Sequence, residues 1–157
     1  MPISSKIVIA DTSCFILLKK IDELDLLVQI FTQVLTTPEI VEEFGEELPD
    51  WILVQTVKDK RFQTALALQV DGGEASAIAL SAETENALLV LDDLLARKLA
   101  VRLNLPHTGT LGIIAAAKRN GIIKSVKPVI TKIRQTNFRF SEDVYLAILK
   151  ASGEIDE

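Results

Sequence analysis

Four acidic residues stand where a carboxylate can do more than solubilise a surface. Asp11 follows the apolar run IVIA, and Asp92 follows ALLVL. A buried strand that ends on a carboxylate projects that charge past the sheet edge. In open parallel sheets, ligands bind in the crevice outside the carboxyl ends of the strands. Glu74 opens a helix directly after Gly72 and Gly73, near a helix N-terminus, where an anion is favoured. The fourth acid lies in EIVEEFGEE, where five glutamates compete. At about 100° per residue, Ile40, Val41, Phe44 and Leu48 mark a buried stripe. Glu39, Glu42 and Glu46 lie opposite it and are expected in solvent. Glu43 and Glu47 flank it. Glu43 is nearer the helix start, hence nearer the crevice, and is the choice over Glu47.

Each residue also has a plainer reading. An Asp after a strand often only makes a turn or caps a helix. A Glu in a first helical turn stabilises that helix, and a glutamate run is usually a solvated face. The arrangement carries more than any one member. Four converging carboxylates repel one another unless they take up protons or bind hard cations. An all-oxygen ligand set with water positions to spare suits Mg²⁺ or Mn²⁺. One or two such ions activate water and steady the charge that develops on a phosphodiester. This chemistry links the four residues to phosphoryl chemistry.

The elements that must position them alternate between short β-rich runs and amphipathic helical stretches. That alternation predicts a parallel sheet with helices on its faces. Strands are expected at Ile7–Ala10, about Val34–Thr36, Ile52–Val57, Ala87–Leu91 and Pro106–Thr108. Helices are expected through Phe15–Leu18, around Leu24–Phe31, through Ile40–Phe44, near Lys60–Val70, from Glu74, over Leu94–Leu103 and over Leu111–Lys118, with two more after Ser125 and Ser141. Thr37 with Pro38 reads as an N-cap and first helical residue. Asp71-Gly72-Gly73 reads as a turn.

Composition bounds the function. The 157 residues make one ordinary domain, residues 1–157, able to bury a core unaided. Apolar residues are 48% of the chain, mostly Leu, Ile, Val and Ala, which suits helices on a buried sheet. Cys14 is the only cysteine, so neither an internal disulfide nor a cysteine zinc site can form. A reducing cytoplasm is the expected compartment. No basic segment precedes a long apolar run, so no signal peptide is expected. No stretch reaches the ~20 apolar residues of a membrane span. The net charge of −5 argues against sequence-blind coating of DNA, though a carboxylate-rich metal site is itself acidic. His107, the only histidine, has no nucleophile pattern beside it and reads as structural. Cys14 and Trp51 read as packing residues.

The segments VIADTSCFILL, TTPEIVEEF, DGGEASAIALS, ALLVLDDLLARKLA and TGTLGIIAAAKRNG resemble, in this order, the motifs of PIN-like domains. The resemblance runs from about Ile7 to Gly121 and is weaker in FRFSEDVYLAILKASGE. It is nearest to short prokaryotic stand-alone PIN proteins related to VapC-type toxins. It implies a three-layer α/β/α fold with a central parallel sheet, and Mg²⁺- or Mn²⁺-dependent cleavage of RNA. By position, Asp11 resembles the first metal-binding aspartate, with Thr12 and Ser13 in support. Glu43 resembles the glutamate of the helix after the second strand. Glu74 stands where many relatives have Asp, which moves the carboxylate about one methylene outward. Asp92 resembles the last acid. Asp93 beside it either faces the metal too or caps the following helix. Thr108-Gly109-Thr110 either presents hydroxyl and N–H groups to a phosphate or simply caps the helix before Leu111. Arg97, Lys98 and Arg102 either steer a phosphate backbone or form a solvated face. The partners implied are an RNA substrate, a second copy of the chain and, if the protein is a toxin, an antitoxin protein.

Two other carboxylate families fit less well. A haloacid-dehalogenase-like phosphatase needs a second Asp where Ser13 stands. A receiver domain carries its acidic pair early, whereas Asp92-Asp93 comes late. The remaining rival is a non-catalytic metal- or RNA-binding PIN-like protein that acts through a partner.

Overall fold

The computed structural model describes residues 6–155. In chain order the elements are β1 (Ile7–Ala10), α1 (Thr12–Lys20), α2 (Leu26–Ile30), β2 (Gln33–Thr36), α3 (Pro38–Phe44), β3 (Ile52–Val54), α4 (Lys60–Leu66), α5 (Gly72–Ala82), β4 (Ala87–Val90), α6 (Leu94–Arg102), β5 (His107–Thr108), α7 (Thr110–Arg119), α8 (Lys127–Arg134) and α9 (Glu142–Ala151). The strands form one sheet in the order β3-β2-β1-β4-β5. Every pairing is parallel. Helices flank the sheet in a three-layer α/β/α arrangement. Helices α3, α4 and α5 pack together, as do α2, α7 and α9, and α1 touches both groups.

The strand sequences explain the layering. Both faces of a parallel sheet are covered, so its central strands read as unbroken apolar runs. Val8, Ile9 and Ala10 of β1 and Leu89 and Val90 of β4 are wholly buried. Each large aliphatic side chain hidden this way contributes roughly 2 kcal/mol. Buried alanines on α5 (Ala75, Ala77, Ala79) let that helix lie close to β1 and β4.

The sheet order creates a switch point. From β1 the chain builds outward through β2 and β3, then returns to lay β4 on the other side of β1. Connections leave β1 and β4 in opposite directions, which opens a crevice beyond their carboxyl ends. Ala10 is level with Val90 in the register, so Asp11 and Asp92 border that crevice.

Several boundaries differ from the sequence expectation. β3 stops at Val54, and Val57 is buried in the loop beyond it. α4 ends at Leu66 and gives way to turns before Val70. α5 starts two residues earlier than Glu74, because Asp71 caps it. α3 ends at Phe44, where Gly45 takes the left-handed conformation (φ 74°) that glycine adopts without a Cβ penalty. Glu46, Glu47 and Leu48 therefore lie past the helix, and Leu48 is not part of its buried stripe. Glu39 was expected in solvent but is half-buried, because Gln63 of α4 reaches across and donates to its Oε2.

Candidate functional site

Asp11 is the most confined acid of the crevice, only 2% exposed. It is the N-cap of α1, and its Oδ1 accepts from the Cys14 amide at 3.0 Å. One capping bond does not offset the loss of water around a carboxylate. Burial is the main reason its pKa rises from 3.8 to about 8, with Asp92 and then Glu74 and Asp71 adding repulsion. Asp92, Glu74 and Asp71 thus lie within electrostatic reach of Asp11.

Asp92 sits one residue past Leu91, which donates its amide to the Thr108 carbonyl at 2.9 Å. Its Oδ1 accepts from the Thr110 amide at 2.8 Å and its Oδ2 from the Thr110 hydroxyl at 2.6 Å. Thr110 is the first residue of α7, whose own N-cap, Gly109, brings no side chain. Asp92 thus caps α7 from across the sheet, and the helix N-terminus holds the carboxylate in place. Asp93 caps α6, its Oδ2 accepting from the Ala96 amide at 3.0 Å.

Glu74 and Asp71 form a capping box on α5. The Glu74 amide donates to Asp71 Oδ1 at 2.8 Å, and the Asp71 amide to Glu74 Oε1 at 3.4 Å. Glu74 is half-buried, and its pKa rises from 4.5 to about 7, first through burial and then through Asp71 and Asp93. Glu43 lies in the last turn of α3 rather than near its start. It reaches the same place because α3 packs on α1 and α5. Its Oε1 accepts from the Thr12 hydroxyl. It also lies against Gly73, where a Cβ would come within 2.7 Å of Glu43 Oε1. Glycine at 73 leaves room for that carboxylate.

The supporting residues divide. Thr12 is buried beside Glu43, and Ser13 is exposed on the first turn of α1. Thr110 is fully buried and engaged with Asp92. Thr108 ends β5, with its Oγ1 pressed against Gly112. The Thr108-Gly109-Thr110 segment turns its hydroxyls onto the protein itself, and Gly109 within it is the N-cap of α7, in keeping with the plainer of the two sequence expectations. Arg97, Lys98 and Arg102 are exposed on α6. The His107 ring bonds the Leu105 carbonyl at 2.9 Å. Glu47 lies in a separate recess with Lys19, Asp22 and Asp50. Asp71 is the acid that the sequence reading passed over as a turn residue. The spacing Asp71-x-x-Glu74 is a capping-box signature that points to it.

Among the described residues, the ion pairs are Lys19–Glu46, Lys132–Glu23 and Arg134–Glu142, none of which involves these acids. The acids have oxygen donors, negative charge and no cationic side chain in ion-pair contact. As the side chains stand, no three acidic, histidine or cysteine residues among those described close on a common point. The arrangement is a rim rather than a finished cage. Mg²⁺ commonly binds through one or two carboxylates and keeps several waters, so the donor set fits a hard divalent cation.

No helix among the described residues is long and apolar enough to cross a membrane. No curated protein matches the chain. A family model described as a PIN domain matches residues 7–154. PIN domains are generally nucleases and typically use divalent metal ions. The match covers nearly the whole sequence and takes in every acid of the rim, and the chain belongs to the PIN domain family.

Proposed function

We propose that the protein is a ribonuclease that hydrolyses RNA phosphodiester bonds with Mg²⁺ or Mn²⁺. The observation that carries this reading is Asp11: a buried carboxylate at the switch point, repelled by Asp92 and Glu74 and in contact with no cationic side chain among the described residues. Such a group is stable in ionised form only beside a cation. Asp11 and Asp92 would hold the metal, with Glu74 and Glu43 at its margin. Asp93, whose Oδ2 caps α6, adds its charge beside Glu74. A divalent cation there supplies Lewis acidity, which makes water nucleophilic near neutral pH and offsets charge developing on the phosphate.

The chain's own residues then have distinct tasks. Thr110 fixes both oxygens of Asp92 through its amide and hydroxyl. Thr12 orients Glu43. The Cys14 amide fixes one oxygen of Asp11. Burial, with Asp71 and Asp93, raises the Glu74 pKa to about 7, and beside a cation that value would fall, favouring the carboxylate form that ligates.

The test is cleavage of a mixed-sequence single-stranded RNA by purified protein with Mn²⁺ or Mg²⁺. EDTA and Asp92→Asn should each abolish it. Cleavage that survives both would overturn the assignment. A non-catalytic role, binding metal or RNA for a partner, is favoured by one observation: the acids do not close on a common point. Metal binding by calorimetry without cleavage of any RNA would select that role. If the protein is a toxin, a short neighbouring gene for an antitoxin is expected. A homodimer, testable by light scattering, completes the proposed set of partners.

A further inference from the structure

Asp92 of the rim also lines a groove of about 420 Å³. Gly109 and Gly112 line its floor, α6 contributes Arg97, and Phe138, Arg139 and Phe140 come from the segment before α9. Gly112 lies inside α7, where glycine costs about 1 kcal/mol relative to alanine. The cost has a local cause, since a Cβ there would overlap Thr108 Oγ1.

The 138–140 segment is braced. The Phe138 amide donates to Thr136 Oγ1 at 3.1 Å. Arg139 Nη1 donates to the Thr136 carbonyl at 2.6 Å and the Phe138 carbonyl at 3.3 Å. Arg134 lies 5.3 Å from the Phe140 ring centre and 4.8 Å from that of Tyr145. The Phe138 and Phe140 rings are 6.3 Å apart, and both remain partly exposed.

The chain as a whole is acidic, with net charge −5, yet this groove carries two arginines beside two aromatic rings. Arginines match phosphate oxygens. Aromatic rings accept any base, because every base offers a π-face. We infer that the groove receives the single strand flanking the scissile phosphate, with its phosphates against Arg97 and Arg139 and a base on Phe138 or Phe140. This rests on the rim being a nuclease site. The substrate is then single-stranded over the nucleotides next to the cut, since a paired base must first be unpaired and unstacked, at an energetic cost, before it can lie on a ring.

The experiment measures binding of a fluorescein-labelled, mixed-sequence ten-nucleotide RNA by anisotropy in EDTA. The Asp11→Asn protein is the background, so nothing is cleaved. Arg139→Gln should weaken binding roughly tenfold and lower the slope of log affinity against log salt by about one. Phe138→Ala should weaken it roughly tenfold with little change in slope. Lys60→Gln, outside the groove, should change neither. Melting curves check each fold, and because Arg139 also braces its segment, Arg97→Gln on the exposed face of α6 should give the same loss of affinity and slope and remains decisive if either segment variant unfolds. A hairpin that pairs all ten nucleotides should bind at least tenfold more weakly. Unchanged affinity in Arg139→Gln and in a folded Phe138 variant would overturn the inference, as would equal binding of hairpin and single strand, which would leave the groove to a peptide. If wild-type protein cuts no RNA but the groove variants still lose binding, the nuclease reading fails and the strand-binding groove stands. If it cuts RNA and the variants bind normally, the groove inference alone fails.

Discussion

Two acidic regions lie at opposite ends of the sheet. At the carboxyl ends of β1 and β4 stand Asp11, Asp92, Glu74 and Asp71. Beyond the C-terminus of α1 and ahead of β3, Asp22, Asp25, Glu47 and Asp50 line a recess with Lys19. The residue types match, but the physics does not. Every acid of the second region is exposed, so water screens its charges. The first region has lost that water around Asp11 without gaining an ion-pair partner among the described residues. The difference teaches that a count of carboxylates does not make a site. Desolvation together with convergence does.

The largest test of that contrast is catalytic. Asp11→Asn and Asp92→Asn should each lower metal-dependent RNA cleavage roughly a thousandfold, since a metal supplies several kcal/mol of charge stabilisation. Both variants keep an oxygen for the Cys14 or Thr110 amide, so circular dichroism should be unchanged. The double variant Asp25→Asn, Asp50→Asn should cleave at the wild-type rate. Loss of activity there would erase the distinction between the regions.

The second test is stability against pH in EDTA. The folded-state pKa of Asp11 lies above its ordinary value, so the folded chain holds this proton more tightly than the unfolded one. Its contribution is full below about pH 4 and is lost as pH rises through about 8. The melting temperature should fall by on the order of several degrees across that window. Asp11→Asn should flatten the fall, and the double variant at residues 25 and 50 should not. Mn²⁺ should restore most of the loss at pH 8.

A third variant separates stability from function inside the rim. Gly73→Ala adds a Cβ 2.7 Å from Glu43 Oε1, and a flexible side chain can yield. Alanine should raise stability by up to about 1 kcal/mol through helix propensity, while metal affinity, read by calorimetry, falls about tenfold. The smallest effect belongs to the far side. Lys19 pairs with Glu46 at 3.1 Å, both well exposed. Lys19→Gln should cost less than about 0.5 kcal/mol in urea unfolding.

Much of this was legible in the sequence, and the reasons are local. Apolar runs ending on Asp11 and Asp92 announced both the strands and the crevice, because a fully buried parallel strand has only one way to read. Thr37-Pro38 marked the start of α3. Asp71 could have been found by its spacing from Glu74. What stayed hidden depends on residues distant in sequence. Glu39 looked solvated until Gln63 came across from α4. The contact that holds Asp92 comes from Thr110, which lies 18 residues after it. The end of α3 turned on one glycine, and helical periodicity alone carried the pattern too far, to Leu48. The trough beside Asp92 depends on where the chain after α8 returns, which no motif announces.

The pairing of Ile7 with Ala87 has a consequence in time. Asp11 is synthesised early, but its neighbour strand on the active side exists only after some eighty further residues have followed, and Asp92 is oriented only once Thr110 is in place. Contacts this distant in sequence form late, and a ribosome adds roughly ten residues per second. A nascent chain therefore spends on the order of ten seconds with its acids apart. During that interval the rim of carboxylates is incomplete.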